Sequence, residues 1–282
     1  MRHTYQVEQQ EDGMILRDFL RNHDVSTTAL KLLKLKGDIL VNDTHQTVRY
    51  LLHVNDTVTL CFPKEESNII PSDIPIDICY EDEHFLIINK PSSMPVIPTR
   101  RYPIDTLSNA IVSYYQKNNI EATVHLINRL DKDTRGLLLV AKDRFSHHLV
   151  TKQMQHIKRI YHCLVEGKLE GSGTIDLAIK KSSDGVKRYI DKTGKPSITH
   201  YRSLFYQNNM TLVECVLETG RTHQIRVHME AIGHPLVGDQ LYGSMHDVPY
   251  YLESVYLSFY HPYLHQTITI QTKNYTKIKM PT

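Results

Sequence analysis

The chain has 282 residues, enough for one large domain and a smaller one. Its formal net charge of only +2 argues against a surface coated with phosphate-binding cations, and its 40% hydrophobic content allows a sizeable core. The four cysteines form no C-x-x-C pair, so we expect neither a disulfide framework nor a zinc knuckle, and we expect a cytoplasmic location. Neither a signal peptide nor a membrane-spanning stretch is recognisable in the sequence.

The first predicted unit, residues 1–62, combines two amphipathic helices with short strands. Apolar residues recur in the helical segments at three- and four-residue spacing. Ser26 and Gly37 are suitable residues to begin and to end the second helix. Asn-Asp pairs mark turns beside the strands. The predicted elements are helices over 15–20 and 26–36 and strands over 39–41 and 58–62.

The remainder of the chain is predicted to be a linker, 63–77, followed by a second domain, 78–282. The linker is polar and proline-spaced. Several predicted strands of the second domain follow one another without a crossover helix, so the sheet should be mostly antiparallel. The predicted fold class is α+β, with a large mixed sheet and flanking helices preceded by a small α/β module. The predicted strands are 85–89, 137–141, 160–165, 211–217 and 267–272, and the predicted helices are 105–117 and 145–156.

The segment 128–142, NRLDKDTRGLLLVAK, places two carboxylates and two arginines in a polar turn directly before an apolar strand. A strand is a rigid support for a site that needs accurate positioning. Arg129 and Asp131 are two residues apart, so in extended geometry their side chains project to the same side. An ionised carboxylate beside cations can act as a nucleophile or as a base. A solvated turn with local ion pairs is the other interpretation of this pattern.

We predict no metal site and no nucleotide cofactor. Neither the adjacent pair His147 and His148 nor the pair His223 and His228 has the i, i+4 spacing and acidic companion of a zinc-binding helix. The glycine-rich patterns that bind nucleotide phosphates are absent from the sequence.

Four segments resemble motifs of the RluA-type pseudouridine synthases, in the order of that family. The segment 128–142 is similar to the central H-R-L-D motif, with Asn128 in place of the histidine and Arg135 in place of a small residue. The resemblance implies an enzyme that isomerises uridine in RNA without a cofactor. The other three similar segments are IINKPSSMPV (87–96), KRIYHCLVEG (158–167) and GRTHQIRVHM with GHPLVGD (220–239).

The resemblance also implies three catalytic residues. Asp131 matches the reactive carboxylate, which attacks the ribose or assists formation of a glycal. Arg226 is implied as its bidentate cation, on a helix predicted over 222–232 with its first residue as the N-cap. From spacing alone, Arg226 could equally form a surface ion pair with Glu230. Tyr161 matches the active-site tyrosine, which stacks on the uracil or accepts the ring proton.

Substrate contacts are expected from four further residues. Arg129 is implied to occupy the space that a flipped uridine leaves. Lys90 either contacts phosphate or is a charge at the end of a strand, and Arg221 and His223 belong to the closing motif. We interpret Asp133 as a turn residue that caps local amides, because a glycosidase pair would need carboxylates on opposite sides of the bond.

Residues 1–62 resemble a small RNA-binding module of the ribosomal-protein type that often precedes these synthases, and residues 37–42 read GDILVN as in that module. Residues 1–60 contain seven Lys and Arg against eight Asp and Glu, so RNA binding by this unit requires a local basic patch. An ordinary solvated helix face is the other interpretation. The predicted RNA-binding patch consists of Lys31, Lys34, Lys36 and Arg49.

We therefore expect an RNA pseudouridine synthase that acts on structured RNA, most simply large-subunit ribosomal RNA, given the chain length and the N-terminal module. We expect it to bind RNA and not membranes, and to be a monomer. The alternatives are a tRNA-directed synthase, a non-catalytic RNA-binding or ribosome-assembly factor, and a hydrolase that uses Asp131 and Asp133 and releases uracil.

Overall fold

The structure, a computed structural model, describes residues 1–276 and divides into two compact units. The first unit joins Met1–Asn68 to Tyr115–Thr123, and the second joins Ile69–Tyr114 to Val124–Thr282. The predicted end of the second domain at residue 282 lies outside the described residues. None of the helices within residues 1–276 has the length and apolar character needed to cross a membrane.

The first unit is a four-stranded antiparallel sheet with two helices. The strand order is β1-β4-β2-β3. Both predicted helices and both predicted strands are present, whereas β1 and β3 were not predicted, because their residues are mostly polar and exposed. The elements are β1 (Arg2–Gln6), α1 (Leu16–Asn22), α2 (Thr27–Lys36), β2 (Asp38–Val41), β3 (Thr44–His45) and β4 (Thr57–Cys61).

Helix α2 begins and ends at the predicted residues. The Ser26 hydroxyl accepts a hydrogen bond from Ala29 N at 3.1 Å, as an N-cap does. Gly37 ends the helix in an extended conformation with φ −117°, and not in the left-handed conformation typical of glycine after a helix. A Cβ atom on Gly37 would collide with the carbonyl oxygen of Cys61. Glycine is therefore required here by the close approach of two backbone segments.

The second unit is built on a ten-stranded mixed sheet. The main strand order is β10-β13-β14-β9-β15-β8-β6-β5, with β16 paired to β15 and β7 paired to β8. Strands β11 and β12 form a separate hairpin. The strands are β5 (Ile78–Glu81), β6 (Phe85–Lys90), β7 (His125–Leu126), β8 (Arg135–Ala141), β9 (Lys158–Glu166), β10 (Ser172–Asp176), β11 (Ile179–Lys181), β12 (Arg188–Ile190), β13 (Ile198–Gln207), β14 (Met210–Leu217), β15 (Leu252–His261) and β16 (Gln266–Gln271).

Only the pair β15 and β8 is parallel among the described strand pairs, which confirms the predicted mostly antiparallel mixed sheet and the α+β class. Few helices accompany this sheet. The segment predicted as one helix over 145–156 is shorter, because α4 ends at Thr151 and a 3-10 turn follows at Met154–His156. The helices are α3 (Leu107–Lys117), α4 (Arg144–Thr151), α5 (Gln224–Ala231) and α6 (Lys273–Thr276).

The sheet brings segments that are distant in sequence side by side. Tyr161 of β9 lies opposite Cys215 of β14 and Ser254 of β15. Ser254 in turn pairs with Gly136 at the start of β8. The carboxylate-bearing turn before β8 therefore lies near the centre of the sheet, close to the strand that carries Tyr161.

Candidate active site

The second unit contains an open cavity of about 830 Å³, within the range of about 300–1,000 Å³ that is typical of ligand sites. Its walls come from the loop before β8, from β9, from the loop before α5 and from residues 95–102. The cavity brings together the predicted catalytic and substrate-binding residues of this unit, with the exception of Lys90. These residues are Arg129, Asp131, Tyr161, Arg221, His223 and Arg226.

The loop that carries Asp131 is tied to its surroundings by backbone contacts. Thr134 N donates to the carbonyl oxygen of Asp131 at 3.2 Å, which closes the predicted turn. The Ser92 hydroxyl donates to the carbonyl oxygen of Asp133 at 2.8 Å. The Asp133 carboxylate lies 4.0 Å from Lys132 Nζ. The loop is thus held from the β6 side as well as by the strand that follows it.

Lys90 holds this loop through hydrogen bonds and does not line the cavity. Its side chain is fully buried, and Nζ donates to the carbonyl oxygens of Pro91 at 2.7 Å, Met94 at 2.9 Å and Lys132 at 2.8 Å. An ammonium group has three donors, so all of them are used. Burial lowers the pKa of Lys90 to about 8, although Asp133 and Asp131 oppose this effect. The prediction that Lys90 binds substrate is therefore wrong. The alternative, a charge at the end of a strand, is confirmed, because Lys90 is the last residue of β6.

Asp131 is the carboxylate of the cavity, and 26% of its side chain remains exposed. Its Oδ2 atom lies 3.5 Å from Arg226 Nη1 and 3.8 Å from His223 Nε2. The carboxylate is thus accessible from the cavity and has a fixed cation beside it, which are the conditions for a nucleophile or a base.

Arg226 pairs mainly with Asp239. Arg226 Nε lies 2.6 Å from Asp239 Oδ2, and Nη2 lies 2.8 Å from Oδ1, so the pair is bidentate. Only 8% of the Arg226 side chain and 2% of the Asp239 side chain are exposed. The predicted bidentate pairing of Arg226 with Asp131 is therefore wrong, because two nitrogen atoms already serve Asp239. The burial of Arg226 also contradicts a surface ion pair with Glu230.

Two tyrosine rings enclose the guanidinium of Arg226. Its carbon Cζ lies 4.9 Å from the ring centre of Tyr242 and 4.7 Å from that of Tyr250, which is cation–π geometry. Burial by itself lowers the pKa of Arg226, but the hydrogen bonds to Asp239 and the nearby acidic groups raise it above its usual value. Arg226 is therefore a permanent positive charge in a fixed place.

Helix α5 begins one residue later in the chain than predicted. The helix begins at Gln224, and its N-cap is His223 in the left-handed conformation, with φ 58°. The prediction of Thr222 as the cap is therefore wrong. The buried Gln224 side chain closes the loop, because its Oε1 accepts hydrogen bonds from Arg221 N at 2.9 Å and from the Thr219 hydroxyl at 2.8 Å. The loop thus needs no conventional side-chain cap.

His223 extends from this loop toward Asp131. Its Nδ1 atom lies 2.8 Å from the hydroxyl of Tyr242. Burial lowers the pKa of His223; Asp131 opposes this effect, while Arg226 and Arg188 strengthen it. The imidazole is therefore neutral at pH 7, since the usual pKa of histidine is about 6.5.

Tyr161 forms part of the cavity wall and is 5% exposed. Burial raises the pKa of Tyr161, and the charge of Asp131 raises it further, against the opposing effects of Arg159, Ser254 and Asn128. The hydroxyl is therefore protonated at neutral pH. This favours stacking or hydrogen-bond donation over the role of a general base.

The mouth of the cavity carries exposed cations. Arg129, Arg221, Lys132 and Arg101 line it with exposed side chains. The ring of Tyr102 lies 5.5 Å from Arg101 Cζ and 5.3 Å from Lys132 Nζ, so one aromatic ring orients two cations. Such a rim suits the phosphates of a polynucleotide.

The two departures from the family motif are accommodated locally. Asn128 is buried, and its Oδ1 accepts a hydrogen bond from Leu139 N at 2.8 Å, which ties the loop to β8. Arg135 donates from Nε to Glu253 Oε2 at 2.9 Å and packs its guanidinium 4.7 Å from the ring centre of Tyr251. Neither residue displaces Asp131 from the cavity.

Sequence reasoning missed three residues around Arg226. Asp239 ends the quoted segment GHPLVGD, and an acid near a motif arginine is a signal that could have been used. Tyr242 and Tyr250 had no such signal among the 17 tyrosines. The structure also separates the two motif histidines, because His228 is buried and lies 2.9 Å from the Thr199 hydroxyl and 3.0 Å from the carbonyl oxygen of Leu177.

The four cations of the predicted RNA-binding patch belong to the first unit and are all exposed. Lys31, Lys34 and Lys36 lie on α2, and Arg49 lies in the loop between β3 and β4. Their exposure permits contact with phosphate, and their role stays a prediction.

Comparison with known proteins identifies the family. Residues 84–231 match the family model described as RNA pseudouridylate synthase. The chain is 39% identical over 258 residues to the Bacillus subtilis protein named uncharacterized RNA pseudouridine synthase YjbO, covering 88% of this chain and 91% of that protein. It is 37% identical over 217 residues to ribosomal large subunit pseudouridine synthase D of Xylella fastidiosa, covering 76% of this chain and 66% of that protein.

A solved structure, human RNA pseudouridylate synthase domain containing 1, superposes with a TM-score of 0.58 and 26% identity, covering 71% of this chain and 84% of that one. Its domain type agrees with the fold described above. The chain therefore belongs to the RNA pseudouridylate synthase family, a family of isomerases.

Proposed function

We propose that this enzyme converts specific uridines of structured RNA to pseudouridine, with Asp131 as the carboxylate that acts on the ribose. The observation that carries the proposal is the position of Asp131, partly exposed in a cavity of about 830 Å³ with the Arg226 guanidinium 3.5 Å from its Oδ2 atom. A carboxylate in this setting is available to the substrate and remains paired with a cation.

The proposed reaction breaks the bond between C1′ and N1 and forms a bond between C1′ and C5 of the same ribose and base. The uracil leaves with the bonding electron pair, and Asp131 either adds to C1′ or removes the C2′ proton to give a glycal. After the base has turned, C5 bonds to C1′ while the bond between Asp131 and C1′ breaks or, in the glycal route, while Asp131 returns the proton to C2′. C5 then loses its proton, and N1 gains one. Atoms and electrons balance without a cofactor.

The cavity walls suit a nucleotide that has left its helix. Flipping a base costs a few kcal/mol, which contacts in the cavity have to offset. Arg129 is exposed at the mouth, where its planar guanidinium could fill the vacated space. Arg221, at the same mouth, is available to a flanking phosphate. Tyr161, buried in the wall and protonated, is proposed to stack against the uracil.

The proposed substrate is large-subunit ribosomal RNA. The support is the name of the Xylella fastidiosa relative, ribosomal large subunit pseudouridine synthase D, and the expected N-terminal RNA-binding module. We propose that the exposed cations of that module, Lys31, Lys34, Lys36 and Arg49, contact RNA phosphates outside the cavity. A tRNA substrate is the alternative.

The substitution Asp131→Asn tests the proposed role directly. We expect no pseudouridine, with RNA affinity within about twofold of wild type, because the amide is isosteric and phosphate contacts dominate affinity. Asp133→Asn is the matched control, since Asp133 lies in the same turn and its carboxylate lies 4.0 Å from Lys132 Nζ. Product is measured by carbodiimide labelling of incubated RNA. Activity retained by Asp131→Asn would rule out the proposed role.

Mapping of pseudouridine in total RNA from cells with and without the gene tests the substrate. We expect sites in large-subunit ribosomal RNA to disappear with the gene. Loss of sites in tRNA alone would assign the enzyme to the alternative substrate. Release of free uracil from incubated RNA would indicate a hydrolase, and unchanged maps together with RNA binding would indicate a non-catalytic factor.

A further inference from the structure

We propose that His223 is a positioning residue that holds Oδ2 of Asp131 through a neutral Nε2–H group, and that Tyr242 fixes this tautomer. Oδ1 is then the oxygen that reacts with the ribose. This inference rests on the proposed function and deepens it. It is carried by the contacts His223 Nε2 to Asp131 Oδ2 at 3.8 Å, His223 Nδ1 to the Tyr242 hydroxyl at 2.8 Å and Arg188 N to the same hydroxyl at 3.0 Å.

The Tyr242 hydroxyl determines which ring nitrogen of His223 carries the proton. A backbone amide can only donate, so the contact from Arg188 N uses a lone pair of the hydroxyl oxygen. The hydroxyl proton is therefore free to point to His223 Nδ1. A nitrogen atom that accepts this hydrogen bond carries no proton, so the proton of the neutral ring is on Nε2, the atom nearer to Asp131.

Burial favours the neutral ring of His223, since only 16% of the side chain is exposed. It lowers the pKa of His223, and the charges of Arg226 and Arg188 act in the same direction. Asp131 and Asp239 oppose this effect. A neutral ring donates from Nε2 without adding a second full positive charge beside the carboxylate.

The geometry distinguishes the two oxygen atoms of Asp131. Arg226 Nη1 and His223 Nε2 both face Oδ2, at 3.5 Å and 3.8 Å. Oδ1 has no hydrogen-bond donor among the described residues. The contacts to Oδ2 are long, as catalytic hydrogen bonds often are before substrate binds, and a shift of under about 1 Å closes them.

The backbone of His223 is in a conformation that its side chain disfavours. Its φ of 58° lies in the left-handed region, which is sterically disfavoured for a residue with a Cβ atom. Strain of this kind persists where the surrounding structure requires it and is frequent at functional sites. Here it places the ring between Tyr242 and Asp131.

The tautomer can be measured in the whole enzyme by NMR with nitrogen-15 histidine, using His223→Asn to assign the His223 signals. At pH 7 we expect Nδ1 to be unprotonated and Nε2 to be protonated. In Tyr242→Phe we expect a mixture of tautomers, because nothing then donates to Nδ1. A ring protonated on Nδ1 in the wild-type enzyme would overturn the inference.

Kinetics of His223 variants distinguish a positioning role from a purely structural one. Glutamine places an N–H group near the position of Nε2, whereas asparagine tolerates the left-handed backbone but does not reach Asp131. We expect His223→Asn to lower kcat by about 10- to 100-fold with little change in KM. The kcat of His223→Gln should be at least about threefold higher than the kcat of His223→Asn. His265→Asn is the matched control, because His265 also has a left-handed backbone, with φ 50°, in an exposed turn.

A wild-type kcat in His223→Asn, or an equal loss in both His223 variants, would overturn the inference. The proposed function is tested separately by Asp131→Asn. If that variant is inactive and His223→Asn is fully active, only the role of His223 fails. If Asp131→Asn is active, the proposed function fails first.

Discussion

Arg226 places two nitrogen atoms on the carboxylate of Asp239 and only one, Nη1 at 3.5 Å, within reach of Asp131. The buried Asp239 therefore orients the arginine and offsets most of its charge. Asp131 is left near the guanidinium without being locked to it. A carboxylate in a bidentate pair would be less available to a ribose, so this division of contacts suits a reactive group.

Asp239→Asn should impair both stability and turnover. The substitution removes the negative charge beside the buried Arg226, and the amide N–H group of the asparagine then faces an N–H group of the guanidinium. We expect this to lower the free energy of unfolding by about 3 kcal/mol. Arg226 should then turn toward Asp131 and lower kcat at least about tenfold. Urea unfolding and single-turnover kinetics measure the two effects. Asp247→Asn, an exposed acid that follows in the same segment, is the control. Wild-type kcat in Asp239→Asn would show that Asp239 does not orient Arg226.

Lys90 is expected to act on stability and not on phosphate binding. Lys90→Met leaves three carbonyl oxygens without their donor, which should cost on the order of 3 kcal/mol. The slope of RNA affinity against salt concentration should not change. Lys132→Met, at the exposed cavity mouth, should show the reverse pattern, with a slope smaller by about 1 and little loss of stability. A reduced salt slope in Lys90→Met would indicate that Lys90 does contact a phosphate.

Much of the fold and the centre of the site could be predicted, because the signals are local. The apolar run after Gly136 predicts β8, and the turn before it predicts where Asp131 lies. Tyr161 and Arg226 came from motif resemblance, and the cavity brings both to Asp131. Polar edge strands such as β1 lack this local signal.

The partners within the site could not be predicted, because they depend on long-range packing. Asp239 takes the bidentate contact that the family resemblance implied for Asp131, and only the fold decides which carboxylate lies nearer. Lys90 is a charged residue on any sequence scale, yet three carbonyl oxygens of two loops make its burial possible. The N-cap of α5 is His223, and the side chain of Gln224 accepts a hydrogen bond from Arg221 N within the preceding loop. The residue types of the segment do not predict this arrangement.

Gly136→Ala should prevent the parallel pairing of β8 with β15. Gly136 has a φ of 104°, and a Cβ atom there would collide with the backbone of Ser254. We expect a loss on the order of 3 kcal/mol or more, because strain and overlap with a backbone add. Gly233→Ala is the matched control, since Gly233 has a φ of 84° but open space around a Cβ atom, and should lose only about 1–2 kcal/mol. Equal losses in urea unfolding would show that Ser254 can move aside.

Asp82 should make the second unit sensitive to acid. Burial alone would raise the pKa of Asp82, but hydrogen bonds from His261 at 2.8 Å, from Tyr80 and from the backbone amides of His84 and Phe85 hold it at about 2. A depressed carboxylate pKa stabilises the fold above the unfolded value of 3.8, and this contribution is lost as the pH falls toward 2. It amounts to about 2 kcal/mol.

Urea unfolding between pH 6 and pH 2 measures this contribution. The difference in unfolding free energy between wild type and Asp82→Asn should be constant above about pH 4 and shrink below it. Asp77→Asn, at an exposed acid in the same region, is the matched control. A difference that persists unchanged at pH 2 would mean that the hydrogen bonds of Asp82 do not depend on its charge.

Removing the proposed basic patch of the first unit should lower the affinity for RNA without lowering kcat. Replacing Lys31, Lys34 and Lys36 together by glutamine should reduce the salt slope of RNA binding by about 2–3, because each lost phosphate contact removes a little under 1. Turnover at saturating RNA should be unchanged, since these residues belong to the first unit and the cavity to the second.

The matched control keeps the same charge change within the same unit. Arg2, Arg17 and Arg21 are exposed cations of the first unit outside the proposed patch, and their replacement by glutamine removes the same three charges. If net charge alone governed RNA binding, both triple variants would lose affinity equally. A loss confined to the lysine variant requires a local contact between α2 and RNA, because long-range attraction does not distinguish two sets of equal charge on one small unit.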